Sequence, residues 1–128
     1  MGITDREETG LGKKGNTNRS RGMFQESRAA EFLEDQGYRI LHRNFHSRYG
    51  EIDLVASQGR YLVFVEVKYR KDDRGGHPLE AVDKRKQQRV RKTAEYYCLK
   101  YGHGESTSCR FDVIGILGEE IFHIEDAF

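Results

Sequence analysis

Apolar and polar positions alternate most clearly in two neighbouring stretches, Gly50 to Ala56 and Tyr61 to Lys68. A period of two, in residues rich in Val, Ile, Leu and Phe, predicts β-strands. In the first stretch Glu51, Asp53 and Val55 point one way, and Ile52, Leu54 and Ala56 the other. In the second, Val63, Val65 and Val67 share one face, and Leu62, Phe64, Glu66 and Lys68 share the opposite one. A strand this apolar belongs in the middle of a sheet. Its end nevertheless carries two charges on one face, Glu66 and Lys68. The linker Ser57-Gln58-Gly59-Arg60 is short and contains glycine, so the two strands read as an antiparallel hairpin. A turn centred on Gly59-Arg60 sets Val55 opposite Phe64 and Asp53 opposite Glu66.

The remaining elements follow from the same patterning. Phe24 to Gln36 has helical spacing, with Ala29, Ala30 and Leu33 as its inner stripe and Gly37 as its stop. Tyr38 to Phe45 is a first strand. Tyr69 to Pro78 is a charged, Gly-rich loop, either a connector or a cover that closes over a substrate. Leu79 to Tyr101 is the longest predicted helix, with Val90, Ala94, Tyr97, Cys98 and Tyr101 forming its apolar stripe. Cys109 to Leu117 and Glu120 to Glu125 are two further strands. Met1 to Arg21 has almost no large apolar residue and reads as a disordered arm, so residues 22–128 form the domain. The arm's Lys13, Lys14, Arg19 and Arg21 either touch a polyanion or are simply solvated.

Bulk properties narrow the class. A chain of 128 residues with 34% charged and 36% hydrophobic positions suits one soluble domain with a single core. It has neither a membrane-spanning apolar run nor the apolar core of a signal peptide, so a cytoplasmic location is expected, with no membrane partner. Cys98 and Cys109 are too few for a disulfide framework and too isolated for a zinc site. The five histidines lack close ligand spacing and read as mostly surface residues. With a net charge of only +1, a nucleic-acid surface must come from local clustering. The 79–101 helix supplies it: Lys84, Arg85, Lys86, Arg89, Arg91, Lys92 and Lys100 outnumber Glu80, Asp83 and Glu95. This helix is either a phosphate-backbone surface or a solvated face. Arg43, His46 and Arg48 before the acids, and Arg70 just after Lys68, extend the set of phosphate-binding candidates.

The candidate chemistry lies in the hairpin. Opposed carboxylates about 5 Å apart repel and need neutralising. Lys68 helps, but two acids against one lysine leave a negative excess, which a hard divalent cation such as Mg2+ or Mn2+ relieves. Two acids and a lysine around a metal can hydrolyse a phosphodiester. Glu26 precedes Ala30 by four positions and shares its stripe. It is either a third acid near the metal or a first-turn glutamate favoured by the helix dipole. Gln87 falls at the edge of the apolar stripe of its helix and can face the hairpin. No phosphate-cradling Gly-rich loop and no local nucleophile arrangement competes.

Asp53 followed by Glu66-Val67-Lys68 resembles the D…ExK signature of the restriction-endonuclease-like superfamily. The wider pattern is similar to the YraN-like family of small bacterial proteins. It comprises Gly37 to Leu41, Arg43-Asn44, Gly50 to Leu54, Val63 to Lys68 and Cys109 to Val113, and the resemblance runs from Gly22 to Phe128. It implies an α/β fold, a mixed sheet in the order helix-strand-strand-strand-helix-strand. It also implies that Asp53, Glu66 and Lys68 occupy nuclease positions, with Glu26 as the matching helix acid and Gln87 as the glutamine that related nucleases carry after the lysine. Gln25 departs from the glycine expected before that glutamate. On this reading Asp53, Glu66, the Val67 carbonyl and Glu26 hold Mg2+ (or Mn2+), and DNA rather than RNA is the partner. The rival expectations are a nucleic-acid-binding module that does not cut, and an interaction protein in which these charges form only a salt-bridge network.

Overall fold

The computed structural model describes residues 17–128, so most of the expected arm, residues 1–16, lies outside the described residues. The chain runs α1 (Thr17–Asp35), β1 (Arg39–Ser47), β2 (Gly50–Gln58), β3 (Tyr61–Arg70), a 3-10 turn (Pro78–Ala81), α2 (Lys84–Lys100), β4 (Ser108–Leu117) and β5 (Glu120–Ile124). The five strands form one sheet in sequence order. β3 and β4 pair in parallel, and every other neighbouring pair is antiparallel. A parallel pair needs a long crossover, which α2 provides. The result is the expected α/β architecture, consistent with a restriction-endonuclease-like core.

Each face of the sheet has its own apolar cluster. Ala29, Ala30 and Leu33 of α1 pack on Leu54, Ala56, Val63, Val65, Ile114 and Ile116. Val90, Ala94 and Tyr97 of α2 pack on Phe45, Ile52, Val55, Leu62 and Phe64. The alternation expected in β3 holds, since Val63 and Val65 join the α1 side and Leu62 and Phe64 the α2 side. In β2 it breaks: Ile52 packs with Val55 on the α2 side, while Leu54 and Ala56 face α1. The break falls at Asp53, between the pairs Phe45↔Ile52 and Arg43↔Leu54. Opposite it, Asn44 has a φ of 53°, a left-handed conformation that asparagine tolerates better than most residues.

Several boundaries differ from the sequence reading. α1 starts at Thr17, so residues 17–21 belong to the helix and not to the arm. Its end is as expected: Gly37, at φ 93°, lets Tyr38 N–H reach back 3.0 Å to the Leu33 carbonyl. The single helix expected over 79–101 is divided. Asp83 adopts extended backbone and its side chain accepts the Lys86 N–H at 2.9 Å, capping a new helix after the 3-10 turn. That turn lies against β4, where a Cβ at Gly115 would come 3.0 Å from the Leu79 side chain. β3 also runs two residues further than expected, to Arg70, because Tyr69 and Arg70 pair with Ile116 and Leu117. Among the described residues no helix is long and apolar enough to cross a membrane.

Four histidines expected mostly at the surface, His42, His77, His103 and His123, are half-buried, and two of them pair with polar side chains. His42 Nδ1 lies 2.6 Å from the Tyr97 hydroxyl, and His123 Nε2 lies 2.7 Å from Asp112 Oδ2. Asp112 is the hub of a buried polar network that the sequence reading gave no role. Arg110 donates to both of its oxygens at 2.9 Å, and to the Tyr38 hydroxyl at 2.6 Å. Asp126 N–H donates to Asp112 Oδ1 at 3.0 Å, tying down the segment after β5. Burial pushes the Asp112 carboxyl up, but His123, Arg110 and the Asp126 amide outweigh it and hold it below its ordinary value. Bidentate charge-assisted bonds of this kind satisfy every buried lone pair, so the network reads as structural.

Candidate active site

The hairpin register is as expected where the ladder persists: Val55 pairs with Phe64 and Leu54 with Val65. The next pair, Asp53 and Glu66, does not form. The strands part there, and Asp53 Oδ2 accepts the Val67 N–H at 2.8 Å instead. In a strand the N–H and C=O of one residue leave on the same edge. The Val67 carbonyl therefore points to the side where β2 no longer pairs with it. The break in β2 thus has a chemical result, a side chain replacing a backbone partner at the end of the sheet.

Glu66 is 1% exposed, and neither of its carboxylate oxygens has a hydrogen bond of regular geometry. Its near neighbour is Lys86, whose Nζ stands 3.2 Å from Oε2 as a charge contact. Burial, then the Asp53 charge, push the Glu66 carboxyl up to about 7, against smaller downward pulls from Lys86 and Lys68. Burial likewise raises Asp53, partly offset by the Val67 amide, Lys86 and Lys68. Glu26 joins from α1 with its Oε1 buried and without a partner. Burial and Asp53 raise its pKa, while Asn44 and Arg43 lower it. The site is thus a carboxylate cluster short of positive charge.

Asp53 and Glu66 lie within electrostatic reach of each other and of Lys68, and Glu26 lies within reach of Asp53. Lys86, by sequence one of the phosphate-binding candidates, joins them through Glu66. The signal was present: Lys86 precedes the buried Val90 by four positions, so the apolar stripe of α2, carried back one turn, lands on it. Gln87 is half-buried, but its Nε2 donates 3.3 Å to the Val82 carbonyl, at the foot of its own helix. Among the described residues no three His, Cys, Asp or Glu side chains converge closely enough to enclose an ion by themselves.

The basic candidates divide. Lys84, Arg85 and Arg89 are exposed at the start of α2. Arg48 and Lys92 both lie over the Tyr49 ring, at 5.1 and 5.8 Å, joining the β1–β2 turn to α2. Arg43 donates to Ser27 Oγ at 2.8 Å, on the α1 side. Arg70 ends β3, its carbonyl accepting the Gly118 N–H at 2.9 Å. Arg91 instead lies 4.8 Å over the Phe111 ring, in a packing role.

Comparison with known proteins covers this whole constellation. A family model described as "Uncharacterised protein family UPF0102" matches residues 25–116, a span that includes Glu26, Asp53, Glu66, Lys68 and Lys86. A UPF0102 protein of Lachnoclostridium phytofermentans is 52% identical over 107 residues, 84% of this chain and 91% of that protein. One from Chromohalobacter salexigens is 44% identical over 108 residues, 84% of this chain and 86% of that protein. One from Persephonella marina is 43% identical, again over 84% of this chain and over 92% of that protein. From the extent of the match and these identities, the chain belongs to the uncharacterised protein family UPF0102.

Proposed function

We propose that this protein is a metal-dependent, nuclease-like hydrolase of DNA phosphodiester bonds, with flapped and branched structures among its substrates. The observation that carries this is the Glu66 carboxylate, buried without a hydrogen bond beside Asp53. Burying a charged carboxylate without full compensation is costly, and a divalent cation compensates it. The donors fit such an ion. Asp53 Oδ1, Glu66 and the Val67 carbonyl are hard oxygens, and Mg2+ or Mn2+ is commonly held by one or two carboxylates with water completing the shell. Glu26, with its unpartnered Oε1, then acts through water. When bound, the cation neutralises charge on the phosphate and lowers the pKa of the attacking water.

The chain's own groups do the rest. Asp53 and Glu66 would hold the cation at the end of β3, against which the reacting phosphate would be positioned. Lys68, beside both acids, orients the water and stabilises the oxygens of the pentavalent phosphorus. Lys84, Arg85, Arg89 and Lys92 hold the phosphate backbone, with Arg43, Arg48 and Arg70 at the margins. Gln87 serves by bracing the start of α2 against Val82.

The Lys86–Glu66 ion pair favours a second reading, in which a protein cation permanently replaces the metal and the domain binds nucleic acid without cutting. Cleavage of duplex, flap, single-stranded and four-way DNAs with Mg2+ or Mn2+, beside Lys68→Ala, decides between them. The nuclease reading expects metal-dependent cutting that Lys68→Ala abolishes. Equal cutting by the variant means the activity is not this site's. Binding without cutting in any metal establishes the second reading.

A further inference from the structure

β3 divides the space around the acids. Glu66 lies on the α2 side with Lys86, whereas Val67 packs on the α1 side. On that α1 side a cleft of about 260 Å³ opens between α1 and the end of β3, lined by Arg21, Gln25, Glu26, Val67 and Tyr69. Glu26 of the carboxylate cluster lines it, as does Val67, whose N–H donates to Asp53, so the cleft adjoins the cluster.

Its walls combine an aromatic face, a cation and an amide. Tyr69 is 40% exposed. The other six tyrosines each face a ring or a cation, whereas among the described residues Tyr69 meets neither. Arg21 is exposed at the rim. Gln25 is buried, with Oε1 taken by Arg28 Nη1 at 2.8 Å, which leaves its amide nitrogen as the donor. Aromatic stacking beside a basic track is how single strands are held, because every base has a π-face. A base inside a duplex is already stacked and out of reach. On the other side of β3, Arg85 and Arg89 offer only backbone-directed charge, which suits paired and unpaired strands alike.

We propose that this cleft is a subsite for one unpaired nucleotide of the substrate strand, adjacent to the scissile phosphate, with its base stacked on Tyr69 and its edge read by Gln25. The substrate strand then leaves its duplex at the acids, on the α1 side. This rests on the nuclease reading for the position of the phosphate, and the test is arranged so that the two fail separately.

Binding is measured by fluorescence anisotropy in chelator, where nothing is cut. The probes are a labelled single-stranded oligodeoxynucleotide, a splayed-arm duplex, a blunt duplex, and single-stranded RNA of the same sequence. Tyr69→Ala weakens the single-stranded and splayed probes roughly five- to a hundredfold, the range for removing one base stack, and leaves the blunt duplex unchanged. Tyr69→Phe binds as wild type. Tighter binding of splayed DNA, or of single-stranded RNA, each supports the subsite and names its source. Equal losses on blunt and single-stranded probes, or none, overturn the subsite, with melting curves confirming that the variant is folded. If the subsite passes and no metal elicits cutting, the nuclease reading alone falls. If cutting is metal-dependent while Tyr69→Ala changes neither binding nor junction preference, the subsite alone falls.

Discussion

Replacing Glu66 with glutamine should stabilise the metal-free protein, by an amount that depends on pH. The carboxyl ionises near 4.5 in an unfolded chain and at about 7 in the fold, where burial and Asp53 oppose its charge. Below pH 4.5 both states hold the proton, and the group costs nothing. Between 4.5 and 7 the unfolded chain releases it and the folded chain does not, so stability falls as pH rises. Above 7 the loss is complete, about 3 kcal/mol at roughly 1.4 kcal/mol per pH unit. Glutamine is nearly isosteric and has no such loss. The two proteins should therefore match near pH 4.5, and the variant should be about 3 kcal/mol more stable at pH 8, or roughly 10 °C in melting temperature. The chain has no tryptophan, so urea unfolding in chelator is best followed by far-UV circular dichroism. Mg2+ at ten times its dissociation constant should return about 1.4 kcal/mol to wild type and nothing to the variant. Parallel pH profiles for the two proteins would refute the buried-charge argument, and with it the case for a cation at this position.

Three more outcomes can be checked. Asp53→Asn should melt at or above wild type in chelator, lack activity and ignore Mg2+; a lower melting point together with a wild type indifferent to Mg2+ and Mn2+ would favour the salt-bridge reading. The double variant Arg85→Ala, Arg89→Ala should weaken DNA binding similarly on unrelated sequences and reduce the log–log salt slope by roughly two, one for each phosphate that is no longer neutralised. Asp112→Asn should cost roughly 3–5 kcal/mol because it strands the buried Arg110, whereas a double change to Arg110→Met and Asp112→Leu should cost less, both read by urea unfolding.

The sequence was informative where period and chemistry coincide. Apolar alternation located β2 and β3, and the spacing of Ala29, Ala30 and Leu33 located the buried face of α1. The same stripe argument put Glu26 on the packing side of α1, where both a third acid and a helix-dipole glutamate remained open. It could have placed Lys86 too, but in a helix with seven basic residues an inward lysine looks like its solvated neighbours. The helix division at Asp83 was hidden because Leu79 continues the apolar pattern although its backbone does not continue the helix. The Arg110–Asp112 pair was hidden for a different reason. Two opposite charges two apart on a strand read as an exposed face unless their partners, Tyr38 and His123, are known to meet them from the turn before β1 and from β5.

Asn44 carries two constraints at once, and a selection experiment would separate them. Its left-handed backbone allows β2 to change faces at Asp53, and its side chain also reaches Glu26. Glycine satisfies the first requirement and loses the second; aspartate tolerates the first but sets a like charge against Glu26. A library randomised at this one codon and selected only for folded protein should accept glycine freely. Selected for the work of the carboxylates, the same library should return asparagine.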